Sequence, residues 1–134
     1  MKPLAEIFAV CDYASVDREG KLSIMGIFRE MYVNKMPAYI AHFYVAASIK
    51  GEPEKAFDVA IEVTSPDGRL TIPKQEVTVQ VGIGGITNLV TDIVNLPLEA
   101  TGEYKIALKM NDGHVVGTRA FRVIDLNTKQ TSVN

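Results

Sequence analysis

Thr101-Gly102-Glu103-Tyr104-Lys105-Ile106-Ala107-Leu108-Lys109-Met110-Asn111-Asp112-Gly113-His114 is the stretch on which the reading of the fold turns. Tyr104, Ile106, Leu108 and Met110 alternate with Glu103, Lys105, Ala107 and Lys109, the period of two of a half-buried strand. Asn111 to His114 then predicts a two-residue hairpin turn, because Asp112 and Gly113 suit the positive φ values such a loop demands. A second strand returns and ends in the alternating pair Phe121 and Val123. On that register facing residues have numbers that sum to 225, so Arg119 is expected opposite Ile106 and in the apolar row of Phe121 and Val123. An unpaired guanidinium in such a row would be costly. Arg119 is therefore expected to snorkel past the sheet, to be eased outward by a bulge at Gly117, or to pair with a carboxylate. It is the candidate contact for an anion or a partner's carboxylate.

Leu96-Pro97 and Thr101-Gly102-Glu103-Tyr104 mark a chain that turns sharply and joins a sheet on a tyrosine. This resembles the tyrosine corner of immunoglobulin-like sandwiches. Gly102-x-Tyr104-x-Ile106 is similar to their Gly-x-Tyr-x-Cys, with Ile106 where a disulfide cysteine would sit. The resemblance implies a fold, and fold does not imply function.

The chain of 134 residues has the length of one ordinary domain and needs no disulfide staple to build a core. Hydrophobic residues at 47% and charged residues at 22% are near globular averages, which argues against disorder and against a membrane protein. Fourteen basic against sixteen acidic side chains give a formal charge of -2, too balanced for a general binder of nucleic acid or anionic membrane. Cys11 stands alone, and the N-terminal apolar run is interrupted by Glu6 without an export layout. These features lead to an expectation of a reducing cytoplasm.

The first strand, Leu4 to Ala14, is apolar on both parities: Phe8 and Val10 on one, Ile7, Ala9, Cys11 and Tyr13 on the other. Ser15 to Gly20 is a polar connector, so Lys21 to Lys35 is expected to return antiparallel as one strand, with Gly26 marking a bulge. Its faces also compete, Leu22, Ile24 and Phe28 against Met25, Ile27, Met31 and Val33. Cys11-Asp12-Tyr13-Ala14 followed by Gly20-Lys21-Leu22-Ser23-Ile24 and Gly26-Ile27-Phe28 resembles a group of small, uncharacterised all-β bacterial proteins. That resemblance implies a stand-alone bacterial domain and supplies no catalytic residues.

Ala41, Phe43, Val45, Ala47 and Ile49 alternate with His42, Tyr44, Ala46, Ser48 and Lys50, and Phe57, Val59, Ile61 and Val63 repeat the pattern. Leu70 to Gln80 adds another strand, with Pro73 at an edge or a break because it cannot donate to a ladder. Gly82-Ile83-Gly84-Gly85 reads as a hairpin connection, since no lysine-serine pair follows to make a phosphate loop. Ile86 to Leu96 has apolar residues on both parities and reads as a bulged strand or a partly helical segment. About eight strand-like runs predict an all-β, antiparallel two-sheet sandwich of immunoglobulin-like type, with a closed small barrel as the alternative. Residues 1–126 form the single domain and residues 127–134 a polar tail expected to fray.

Chemistry is sparse on this scaffold. Cys11 reads as a small buried hydrophobe, and the only histidines available to activate it are His42 and His114. No nucleophile elbow, zinc spacing or cofactor motif occurs, and no metal or cofactor is expected. Asp17, Glu19, Glu52, Glu54 and Asp112 could gather at one end as a calcium site, but turn formation is their ordinary use. The reading is a non-catalytic binding or assembly module. The alternatives are a small-ligand carrier, or an enzyme whose site is assembled from distant residues such as Cys11, His42 and Arg119. The surplus apolar face of the first two strands predicts a homodimer through Met25, Ile27, Met31 and Val33, with His42 and Tyr44 as a polar margin. A cover formed inside the chain is the rival explanation.

Overall fold

The computed structural model describes residues 2–127 and contains nine strands among them. In chain order they are β1 (Leu4–Val16), β2 (Leu22–Ile27), β3 (Glu30–Val33), β4 (Ala38–Lys50) and β5 (Ala56–Thr64), followed by β6 (Gln75–Gln80), β7 (Ile86–Leu98), β8 (Gly102–Lys109) and β9 (Val115–Asp125). One sheet has the order β2-β1-β4-β7 and the other β3-β9-β8-β5-β6. All neighbours are antiparallel except β3, which runs parallel to β9. The all-β two-sheet sandwich is thus the observed fold, and the barrel alternative falls away. The tail expected over 127–134 lies outside the described residues except for Asn127.

Alternation fills the space between the sheets. Phe43, Val45, Ala47 and Ile49 of β4 meet Val59, Ile61 and Val63 of β5 and Tyr104, Ile106 and Leu108 of β8. Phe28, Phe43, Tyr104 and Phe121 form an aromatic cluster with ring centroids 5.6 to 5.9 Å apart. The tyrosine corner is present: the Tyr104 hydroxyl donates to the Ala100 carbonyl at 2.7 Å, and Ile106 beside it is fully buried.

The β8–β9 hairpin differs from expectation at its tip. Met110 N–H bonds His114 O and Gly113 N–H bonds Met110 O, both at 2.9 Å, so Asn111 to Gly113 form a three-residue loop. Among these only Gly113 has positive φ, at 90°. Lys109 pairs with Val115, while Leu108 pairs with Gly117, so Val116 is an extra residue in β9. The longer loop and this bulge offset each other, and Arg119 does face Ile106.

The run expected as one strand from Lys21 to Lys35 is two. β2 pairs with β1, and at Phe28-Arg29 the chain crosses to the other sheet, where β3 lies beside β9. The β1–β2 register passes Gly26 without a shift, so no bulge sits there. Gly26 has φ 70°, and a Cβ at this position would lie 2.4 Å from a carboxylate oxygen of Asp12.

The double-sided apolar character of β1 has a cause inside the chain for Cys11 and Ala14, while Ile7 and Tyr13 stay about half exposed. Its first half pairs with β4 as far as Cys11; its second half, with β2, leans over the outer face of that same sheet. Ala14, Leu22 and Ile24 pack with Cys11, Tyr44, Ala46 and Val90, and the Asn88 side-chain amide donates to the Gly20 carbonyl at 2.7 Å. Cys11 and Ala46 are fully buried beneath this flap. Ile86 to Leu96 lies within β7 and is strand throughout; Asn95, with φ 54°, is where its inward parity changes from Ile93 to Leu96 and Leu98.

Candidate functional site

One flank of the sandwich is a seam between β1 and β9. β4 occupies one edge of β1; the other is taken by β2 only from Cys11 onward, helped by Phe28 N–H bonding Val10 O at 3.1 Å. β8 occupies one edge of β9; the other is taken by β3 only from Arg122 to Asp125. Two partly open strand edges therefore border one another.

The seam is closed at three places. At the bottom the His114 ring Nε2–H donates to the Pro3 carbonyl at 2.7 Å, and Lys2 pairs with Asp112 at 3.0 Å. In the middle Phe8 and Ala5 press against Gly117, where a Cβ would come within 2.8 and 2.9 Å of them. At the top the Phe28-Arg29 crossover bridges the sheets, with Arg122 N–H bonding Arg29 O at 2.8 Å. Between the middle and top closures an open cleft of about 580 Å³ remains, lined by Glu6, Val10, Ile27, Arg29, Arg119 and Ala120 among others. A second depression beyond the crossover is lined by Ile27, Arg29, Glu30, Tyr32 and Arg122.

Arg119 is placed as its register requires. Phe121 and Val123, of the same parity, are buried to 1% exposure, while Arg119 is exposed. Its guanidinium leaves through the open seam instead of entering the core, the snorkelling outcome. Arg29, Arg119 and Arg122 make no ion pair or side-chain hydrogen bond among the described residues. Glu30 is engaged by the Tyr32 hydroxyl at 2.7 Å, which raises the pKa of that phenol, so among the described residues lining these two depressions Glu6 is the one uncommitted carboxylate. Arg29 and Arg122 were not singled out from sequence. The signal available was Phe28-Arg29-Glu30, a charged interruption of an apolar run.

The other candidate residues lie elsewhere. Cys11 is fully buried, its Sγ faces the Tyr44 carbonyl at 3.7 Å, and burial raises its pKa, so the thiol is held protonated. His42 instead contacts Asp92 at 3.2 Å and the Tyr44 ring, which also meets the Tyr13 ring edge-on. Cys11, His42 and Arg119 are thus not one constellation. The proposed dimer face is split as well: Met25 and Ile27 on β2 are exposed, but Met31 and Val33 on β3 pack against the main core. The strand break at Phe28-Arg29 separates them. Among the acidic loop residues, the Asp17 carboxylate accepts from the amides of Glu19 and Lys21 and that of Asp112 from the His114 amide, the ordinary turn role. No three His, Cys, Asp or Glu side chains converge on a metal position among the described residues.

A family model described as a family of unknown function, DUF6941, matches residues 6–124. The chain belongs to this family. The match takes in β1 from Glu6 onward and β9 up to Ile124, and with them most of both walls of the seam. No curated protein matches. Among solved structures, a Bacteroides fragilis chain provisionally described as a beta-galactosidase is similar at 13% identity with a TM-score of 0.46. The similarity covers 64% of this chain and 15% of that one. No helix among the described residues is long and apolar enough to cross a membrane.

Proposed function

We propose that the protein is a non-catalytic binding module, used for recognition or assembly, whose partner contacts the arginine-lined seam between β1 and β9. The observation that carries this reading is three exposed guanidinium groups with no partner among the described residues, set around an incompletely occupied strand edge. Arginine presents a rigid fork of donors suited to carboxylates and other planar anions, and uncommitted arginines are frequent anchors of interfaces. A reducing, cytoplasmic setting belongs to the same reading and is supported by the lone free thiol of Cys11. Affinity isolation from the native host, with the wild-type chain and an Arg29→Ser/Arg119→Ser variant in parallel, tests it. A partner retained by the first and lost by the second is the expected result; partners retained equally by both would move the contact elsewhere.

A second reading, homodimerisation, is favoured by one observation. The flap covers Cys11 and Ala14, but Ile7 and Tyr13 on β1 remain 50% and 49% exposed and Met25 and Ile27 on β2 63% and 61%. Two-fold pairing of this strip would cover them. Light scattering over a dilution series, with Met25→Glu, decides it: dissociation by the variant supports a dimer, and a wild-type monomer at high concentration refutes it.

A further inference from the structure

Backbone direction at the seam identifies what the cleft is shaped to accept. Arg122 sends its N–H away from β8, toward Arg29 O. Along a strand, successive backbone groups point to opposite sides, so Ala120 and Thr118 turn their N–H and C=O the same way as Arg122. Among the described residues no strand pairs with β9 on that side before Arg122, because β3 begins only at Glu30. β3 thus fills the last third of an edge position and leaves the part beside Thr118 and Ala120 open. Opposite, Val10 O points across to Phe28, and the same alternation turns the backbone of Phe8 toward the cleft. The cleft continues the edge position of β3 along β9, bounded above by the crossover and below by Phe8 against Gly117.

We infer that the cleft accepts a short extended segment of an acidic partner protein, added as a strand to the open edge of β9 at Thr118 and Ala120, with its carboxylates on Arg29 and Arg119. The inference rests on the binding-module reading and names the chemistry of the partner. Strand addition takes its affinity from main-chain hydrogen bonds and its selectivity from side chains beside the edge. The side-chain charges here are Arg29 and Arg119 against Glu6, with Arg122 next to them and Glu30 engaged by Tyr32. A carboxylate would pair with a guanidinium already at the surface, so little new desolvation is required. Ile27, exposed at the rim, supplies an apolar contact for an intervening side chain.

The test is panning of a random display library of eight-residue peptides on the full-length chain. Enriched sequences carrying Asp or Glu are then synthesised and measured by fluorescence polarisation. The expected result is binding that weakens roughly tenfold or more in Arg119→Ala and in Arg29→Ala, the loss of one charge-assisted bond. N-methylation of the peptide backbone should weaken it at least as much, and the Ala120 and Thr118 amides should exchange more slowly in the complex. Both arginines are exposed, so the variants are expected to fold, and Arg119→Lys checks that the effect belongs to the guanidinium. Enriched peptides without acidic residues, or indifferent to both substitutions and to N-methylation, overturn this inference but leave the module reading standing. Failure to enrich any peptide overturns it too, while host isolation still judges that reading. An Arg119→Ala chain that self-associates, with peptide binding unchanged, would make Arg119 a guard against edge pairing and not a docking contact.

Discussion

Gly117→Ala is the sharpest perturbation of the seam, because general expectation and this structure give opposite signs. Gly117 does not have positive φ, so alanine is compatible with its backbone and would ordinarily stabilise by about 0.4 to 1 kcal/mol through the unfolded chain. The added Cβ would lie 2.8 Å from Phe8 Cδ2 and 2.9 Å from Ala5 Cβ. Carbon atoms in contact prefer about 3.5 to 4 Å, so β1 must withdraw from β9 by several tenths of an ångström. Neither neighbour yields easily: one is a ring atom of a core residue 6% exposed, the other is fixed to the β1 backbone. Overpacking of this kind costs about 1 to 3 kcal/mol, which outweighs the entropic gain and leaves a net loss of about 1 to 2 kcal/mol. Urea unfolding followed by fluorescence of the tyrosines measures it as a lower midpoint with an unchanged slope. The companion Phe8→Leu removes the clashing ring, so in the double variant the losses should be less than additive by about 1 kcal/mol. A Gly117→Ala protein as stable as wild type or more so, or strictly additive losses, would refute the close seam.

Tyr104→Phe should lose about 1 kcal/mol, since it deletes the hydroxyl bond to Ala100 while the exposed residue's carbonyl can turn to water; equal urea midpoints would refute the role of the corner. Cys11 should resist a disulfide reagent in the native state, and Asn88→Ala, by freeing the loop at Gly20, should speed the reaction with little change in global unfolding; fast labelling of wild type would refute the flap. Because burial raises the Cys11 pKa, its contribution to stability is present below the unfolded thiol value of about 8.5 and is lost as pH rises through the folded value. Cys11→Ala should abolish that alkaline loss, read from melting temperatures across pH. Asp112 is held below the ordinary carboxylate range, first by the His114 amide and then by Lys2, so its contribution is present above about pH 4 and lost as pH falls through the folded value. Asp112→Asn should flatten that acid limb, and an unchanged limb would refute the assignment.

Strand existence and facing were legible wherever strands are straight and half-buried. β4, β5 and β8 show it: Phe43, Val59 and Ile106 lie inward as their period requires. What was not legible is where a strand changes what it packs against. β1 buries Cys11 and Ala14 away from the main core because its second half leaves β4 and folds, with β2, over its own sheet, while Ile7, on the parity of Cys11, stays half exposed. The run from Lys21 to Lys35 is apolar on both faces because it serves two sheets in turn. β7 mixes parities because Asn95 re-phases it. One-dimensional periodicity carries no information on which partner a given face meets, so all three cases look the same in sequence. Arg119 was found because it breaks an apolar row, whereas Arg29 and Arg122 acquire meaning only from the crossover that brings them beside it.

The open seam and its arginine explain one another. A strand occupying the full length of the β9 edge would close the flank over a residue of inward parity, and an inward guanidinium sealed there without a carboxylate would be an uncompensated charge. With β3 beginning only at Glu30, the same residue reaches water and no such penalty arises. The short β3 follows in turn from β1, whose second half is paired with β2, so the chain reaches the crossover at Phe28-Arg29 already above the cleft. Phe28 anchors that crossover in the aromatic cluster with Phe43 and Phe121, which keeps the upper rim fixed while the edge below stays open. Any segment that fills the opening must bring a negative group or leave an outlet for Arg119. An acidic strand satisfies that condition by pairing, whereas an apolar or basic one of the same length satisfies it only by leaving the guanidinium its outlet or handing it to Glu6.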